Sequence, residues 1–98
     1  VWDSPKTYNG AKYLEEGLRR LQDYYPQIQR LVDYYASHFP GQVFLGDTKG
    51  FDYFKENHLT DFQAEKGSAG VFYLHPNEKG AVRLGELWSE AIRQALGL

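Results

Sequence analysis

The stretch Leu74-His75-Pro76-Asn77-Glu78-Lys79-Gly80 decides how the rest of this chain is read. Before it stands an apolar run, Val71-Phe72-Tyr73-Leu74, which reads as a short strand. After it, Ala81, Leu84, Trp88, Ala91, Ile92 and Ala95 or Leu96 recur at helical spacing. Pro76 suits the first position of a helix, where its missing N–H has no partner to lose. The spacing therefore predicts a helix from Pro76 to about Leu96, stopped by Gly97. His75 falls at the hinge between strand and helix, where a side chain can point into a cleft. The partial positive charge of a helix N-terminus disfavours imidazolium, and a neutral ring is suited to accepting a proton. Gly80 and Gly85 each cost about 1 kcal/mol in a helix interior. Gly80 is expected to permit close approach of a neighbouring backbone.

Outward from this stretch, Thr48 to Gly70 is the irregular part, with two short helices expected at Asp52–Asn57 and Leu59–Glu65. Lys66-Gly67-Ser68-Ala69-Gly70 reads as a turn. A connection this long is usually functional, so it is expected to wall the cleft at His75. Upstream of it, Gln42 to Gly46 carries the continuous apolar run Val43-Phe44-Leu45, which suits a strand buried on both faces of a parallel sheet. Asp47 then lies just past the C-terminal end of that strand, the edge where ligands gather in open α/β sheets. Capping of the Asp-Thr-Lys-Gly turn is its plainer role.

Two helices are expected further upstream. One spans about Gly10 to Tyr24, with Thr7 or Asn9 as cap and Leu14, Leu18, Leu21 and Tyr25 on one face. Pro26 breaks that pattern and restarts it, and Ile28, Leu31, Val32 and Tyr35 form a second stripe running to about His38. Pro40-Gly41 ends it. His38 falls in the last turn, where a cation favours the helix dipole. Val1 to Thr7 reads as an extended arm with Trp2 as an apolar anchor.

Bulk properties narrow the classes. The chain has 98 residues, a net charge of −2 and no cysteine. At this size a domain buries only about two-thirds of its unfolded surface. The charges are interspersed and there is no basic stripe, which argues against nucleic acid as a partner. The sequence holds no apolar run of membrane-spanning length. The histidines His38, His58 and His75 lack metal-ligand spacing, so no metal or other cofactor is expected. Aromatics make up 16% of residues, enough for core packing or for sugar-stacking surfaces.

The segment around His75 resembles the last sequence block of the SGNH, or GDSL-type, hydrolases, of the form Asp-x-x-His-Pro-Asn-x-x-Gly leading into the C-terminal helix. His75, Pro76, Asn77 and Gly80 match, and the position of the family's aspartate is Phe72. The resemblance implies an α/β fold. The chain would be the C-terminal part of a three-layer α/β/α, flavodoxin-like domain with a parallel sheet. It also implies ester hydrolysis, with His75 relaying the proton of a serine nucleophile. The family's Gly-Asp-Ser block is absent, and none of Ser4, Ser37, Ser68 and Ser89 stands in such a setting. Residues 1–98 are therefore expected to be completed by a companion polypeptide or segment that carries the serine. An acylated carbohydrate or other small ester would be the substrate. With Phe72 unable to orient His75, the resemblance leaves two orienting groups open: a carboxylate brought in by folding, Asp61 or Asp47, or a backbone carbonyl. The reading from another class is a non-catalytic α/β interaction or carbohydrate-binding domain. The two part on whether His75 opens onto a cleft or packs in a closed core.

Overall fold

The computed structural model describes residues 15–67 and 70–98. The expected arm at residues 1–7, the Trp2 anchor, the Thr7 and Asn9 caps and the start of the first helix lie outside the described residues. Helices α1 (Glu15–Gln22) and α2 (Tyr24–His38) come first, and an irregular segment leads to α3 (Gly50–Asp61). A short hairpin follows, β1 (Glu65–Gly67) and β2 (Gly70–Phe72), and then the long helix α4 (Glu78–Leu96). Pro26 stands in the first turn of α2, as its restart of the helical pattern predicts, and Gly41, in the left-handed region at φ 79°, follows the helix end.

The expected parallel α/β/α architecture is not what the described residues form. They are mostly helical, and the only sheet among them is the two-stranded antiparallel pair β1–β2. The expected strand at Gln42 to Gly46 is irregular. Its apolar run has no neighbouring strand among the described residues, and a strand exists only through the bonds of a neighbour. The stretch at Thr48 to Gly70, expected to hold two short helices in a long loop, is instead one twelve-residue helix followed by half of a hairpin. Asp47 starts that helix. Its carboxylate accepts from the backbone N–H of Lys49 at 2.9 Å and of Gly50 at 2.8 Å, which removes two of the orphan donors of a helix start.

The core lies where α3 packs on α4. Phe54, Phe62 and Leu87 are buried together, with Tyr53 and Tyr73 against them. The inward face of α4 runs through Gly80 and Leu87, while Trp88, Ile92 and Leu96 stand exposed. The predicted stripe on 84, 88 and 92 is thus turned away from α3. An α4 with apolar residues on two faces buries the one that α3 reaches. Gly97 ends the helix in the left-handed region at φ 69°, and the N–H of Leu98 bonds the carbonyl of Arg93 at 2.8 Å, as the glycine stop requires.

Candidate functional site

The segments on either side of the hairpin continue to pair beyond it. Glu65 faces Phe72 and Gly67 faces Gly70 within the hairpin, and further out Phe62 forms a bridge with Pro76. From one pairing to the other, three steps along the first segment correspond to four along the second. The second segment therefore carries one extra residue between Phe72 and Pro76. This is a β-bulge, which bends a strand and re-aims its side chains. His75 lies in it. Its carbonyl accepts from the N–H of Gln63 at 2.8 Å, and the N–H of Asn77 then bonds the carbonyl of Asp61 at 2.9 Å.

The bulge brings His75 to Glu65. The Nδ1 of His75 lies 2.9 Å and 3.0 Å from the two carboxylate oxygens of Glu65, and the His75 backbone N–H donates to Oε2 at 3.3 Å. An ionised carboxylate only accepts, so Nδ1 carries the proton and, in the neutral ring, Nε2 holds the lone pair. The hydrogen bond from His75 holds the Glu65 carboxyl below its ordinary value, against an opposing push from its burial. The imidazole is 62% exposed, and no described residue bonds Nε2. His75 therefore opens to solvent and is not part of the core.

The start of α4 explains why His75 stands outside the helix. The sequence placed Pro76 at the first helical position, whereas the cap is Asn77 and the helix begins at Glu78. Asn77 Oδ1 accepts from the N–H of Gly80 at 3.0 Å, and its amide donates to the carbonyl of Thr60 at 2.8 Å. One side chain thus caps α4 and ties it to the end of α3. The helix cap is satisfied by Asn77, and the polar partner of His75 is a carboxylate. Gly80 makes the close approach that the sequence suggested: a Cβ there would collide with the backbone carbonyl of Asp61.

Neither aspartate proposed to orient His75 is the group bonded to it. Asp61 is 0% exposed. It accepts from Tyr53 Oη at 2.7 Å and Thr60 Oγ1 at 2.7 Å, with Lys79 Nζ at 3.5 Å. Burial is the largest influence on its carboxyl and pushes it up. The hydrogen bonds from Thr60 and Tyr53 and the charge of Lys79 together outweigh burial and hold it below the usual carboxylate value. Asp47 is committed to the start of α3 and lines a groove of about 350 Å³ between the 44–49 segment and α4. The orienting carbonyl is not seen either, because the Nδ1 contacts are both to Glu65.

Glu65 was missed because the sequence places it inside an expected helix, ten residues from His75. The available signal was the turn Lys66–Gly70. Read as a hairpin, it sets Glu65 opposite Phe72, the position where the resembled family has its aspartate.

The other histidines have local roles. His38 bonds the Tyr34 carbonyl at 2.8 Å and stacks on the Tyr34 ring at 4.0 Å. His58, which falls between the two short helices expected at Asp52–Asn57 and Leu59–Glu65, is in the last turn of α3, with Nδ1 2.9 Å from the Lys55 carbonyl. Ser37 donates to the Asp33 carbonyl at 3.3 Å, and no described serine bonds His75. Among the described residues no group of three potential ligands could hold a metal ion, and no helix is long and apolar enough to cross a membrane. No family model, curated protein or solved structure matches this chain.

Proposed function

We propose that this chain supplies the general base of a serine esterase, with His75 in that role. One observation carries the reading: an exposed imidazole whose Nδ1 is held by a carboxylate and whose Nε2 is unengaged by any described residue. A base needs its proton-accepting nitrogen open and its other nitrogen fixed. In the proposed reaction Nε2 takes the proton of a serine hydroxyl as the oxygen attacks the acyl carbon. It then returns the proton to the leaving alkoxide. The nearby carboxylate offsets the positive charge on the ring while the proton is held.

The serine and the donors to the oxyanion come from a companion polypeptide or segment. Apolar residues exposed on α4 (Trp88, Ile92 and Leu96), together with Phe44 and Leu45, support this by offering a surface for such a companion. Esters, with O-acetyl groups on carbohydrate foremost, are the proposed substrates. The resemblance of the His75-Pro76-Asn77-x-x-Gly80 segment supplies the reaction class. In the assembled enzyme, His75→Ala is expected to lower kcat for p-nitrophenyl acetate by roughly 10³-fold or more, the usual cost of losing a triad base. Near-normal activity of that variant would overturn the reading.

A further inference from the structure

We infer that Glu65 is the positioning residue of His75, delivered to the ring across the β1–β2 hairpin and not from the histidine's own segment. The inference rests on the reading of His75 as the base.

Three contacts converge on one carboxylate. Both oxygens of Glu65 lie within 3.0 Å of Nδ1, and Oε2 also accepts from the backbone N–H of the same histidine. The ring and its backbone are thus gripped by a single side chain, which fixes the imidazole relative to the strand that carries it. The bulge between Phe72 and Pro76 makes this geometry available. At the register position across from Glu65 stands Phe72, which is buried. That position is spent on packing, and the carboxylate comes from the opposite strand on a side chain one methylene longer than aspartate.

Glu65 does not touch a substrate in this scheme. Its effect passes through His75 in two ways: it selects the Nδ1–H tautomer, and it lowers the energy of the protonated ring that forms during turnover. An amide at position 65 could accept from Nδ1–H or donate to a bare Nδ1. Glu65→Gln therefore keeps the shape but frees the choice of tautomer.

The test labels the histidines of the full-length protein with ¹⁵N and reads His75 by long-range ¹H–¹⁵N correlation, assigned with His75→Ala. In the neutral ring of the wild type, Nδ1 is expected to be protonated and Nε2 bare. In Glu65→Gln the two nitrogen shifts should move toward each other, as the tautomers mix, with the melting temperature little changed. An unchanged tautomer in Glu65→Gln would overturn the inference. Kinetics provide a second arm: Glu65→Gln should lower kcat by about 10²- to 10⁴-fold, by analogy with the loss of a triad carboxylate, and leave KM within about threefold, since no binding contact is removed. Should His75→Ala abolish activity while Glu65→Gln turns over at the wild-type rate, Glu65 is not the positioning residue and the base assignment stands. Should His75→Ala stay active, the base assignment falls. The tautomer measurement then still decides whether Glu65 holds the ring.

Discussion

Two helices of this chain, α2 and α3, have similar lengths and opposite situations. α3 ends in a knot of polar and apolar contacts. Asp61 is fully buried and takes hydrogen bonds from Tyr53 and Thr60, Asn77 bonds the carbonyl of Thr60, and Gly80 lies against the Asp61 carbonyl. α2 has no buried residue at all, and Ile28 and Leu31 on its apolar stripe are exposed. Among the described residues it meets α3 in an edge-on pairing of Tyr25 with Phe51, ring centroids 6.2 Å apart. The stripe on α2 is the cleaner helical signal of the two, yet α3 carries the core. Periodicity reports that a helix has an apolar face, and only a neighbour makes that face a stabilising one.

The largest effect expected from this contrast is at Asp61. Asp61→Ala removes the acceptor of the Tyr53 hydroxyl and one of the two acceptors of the Thr60 hydroxyl, two hydrogen bonds to a charged group worth about 1.5–3 kcal/mol each, at a cost of about 3–5 kcal/mol in all. Urea unfolding checks this, and a cost below about 1 kcal/mol would mean that the knot is not the centre of the fold. The same residue sets an acid dependence. Its native carboxyl is held below the ordinary value, so the unfolded chain binds more protons than the native one in that window. Stability is thus fully present above about pH 4, the ordinary aspartate value. It falls as the pH drops through the native value. Asp61→Asn should flatten the acid limb of a plot of melting temperature against pH.

Next in size is Leu87, 3% exposed and facing α3. Leu87→Ala should cost about 2–4 kcal/mol, the usual range for emptying a core leucine. Ile92→Ala, on the exposed side of the same helix, should cost less than about 1 kcal/mol. Equal losses at the two positions, measured in one denaturant series, would erase the distinction between the faces of α4.

How much of this could be read in advance depended on whether the cause was local. The restart of a helix at Pro26, its end before Pro40-Gly41, the stop at Gly97 and the helix after His75 all follow from backbone chemistry within a few residues, and all appear. Which face of α4 turns inward was not legible: Leu84, Trp88 and Ile92 form a regular stripe, yet the buried positions are Gly80 and Leu87, and that choice belongs to α3. A parallel sheet was expected from Val43-Phe44-Leu45 because burial on both faces requires neighbours, and a run of three residues cannot say whether the neighbours exist. At the site, the exposure of His75 was legible from its place between strand and helix. Its partner was not. Glu65 reaches the ring through hairpin register and a one-residue bulge, and neither leaves a spacing that can be matched to a motif.

Gly80 and Gly85 show the same limit within one helix. Propensity assigns both the same penalty. A Cβ at Gly80 would strike the Asp61 carbonyl, whereas one at Gly85 meets nothing within 4 Å. Gly80→Ala should therefore destabilise by about 1–3 kcal/mol, as overpacking does. Gly85→Ala should stabilise by about 0.5–1 kcal/mol through the unfolded chain and the helix backbone. Thermal melts of the two variants are expected to move in opposite directions, and a shift of the same sign in both would contradict the close approach at Gly80.

The smallest change is expected on α2 and tests the comparison most directly. Leu31 is 55% exposed, so truncating it removes little area from contact with protein. Alanine is also a slightly better helix former than leucine. The two effects oppose each other, and Leu31→Ala should shift the unfolding free energy of this chain by less than about 0.5 kcal/mol, the range of surface substitutions. Leu31→Asp leaves the fold intact for the same reason, since an exposed charge needs no partner. If instead Leu31→Ala costs about 2 kcal/mol or more, the size of a buried leucine, then the apolar stripe of α2 lies in a core of its own. In that case the difference between α2 and α3 is one of which partner covers each helix, and not of whether one does. Repeating the measurement with the companion proposed to carry the serine separates these cases. A Leu31 that is silent alone and costly in the complex marks α2 as the face that the companion covers.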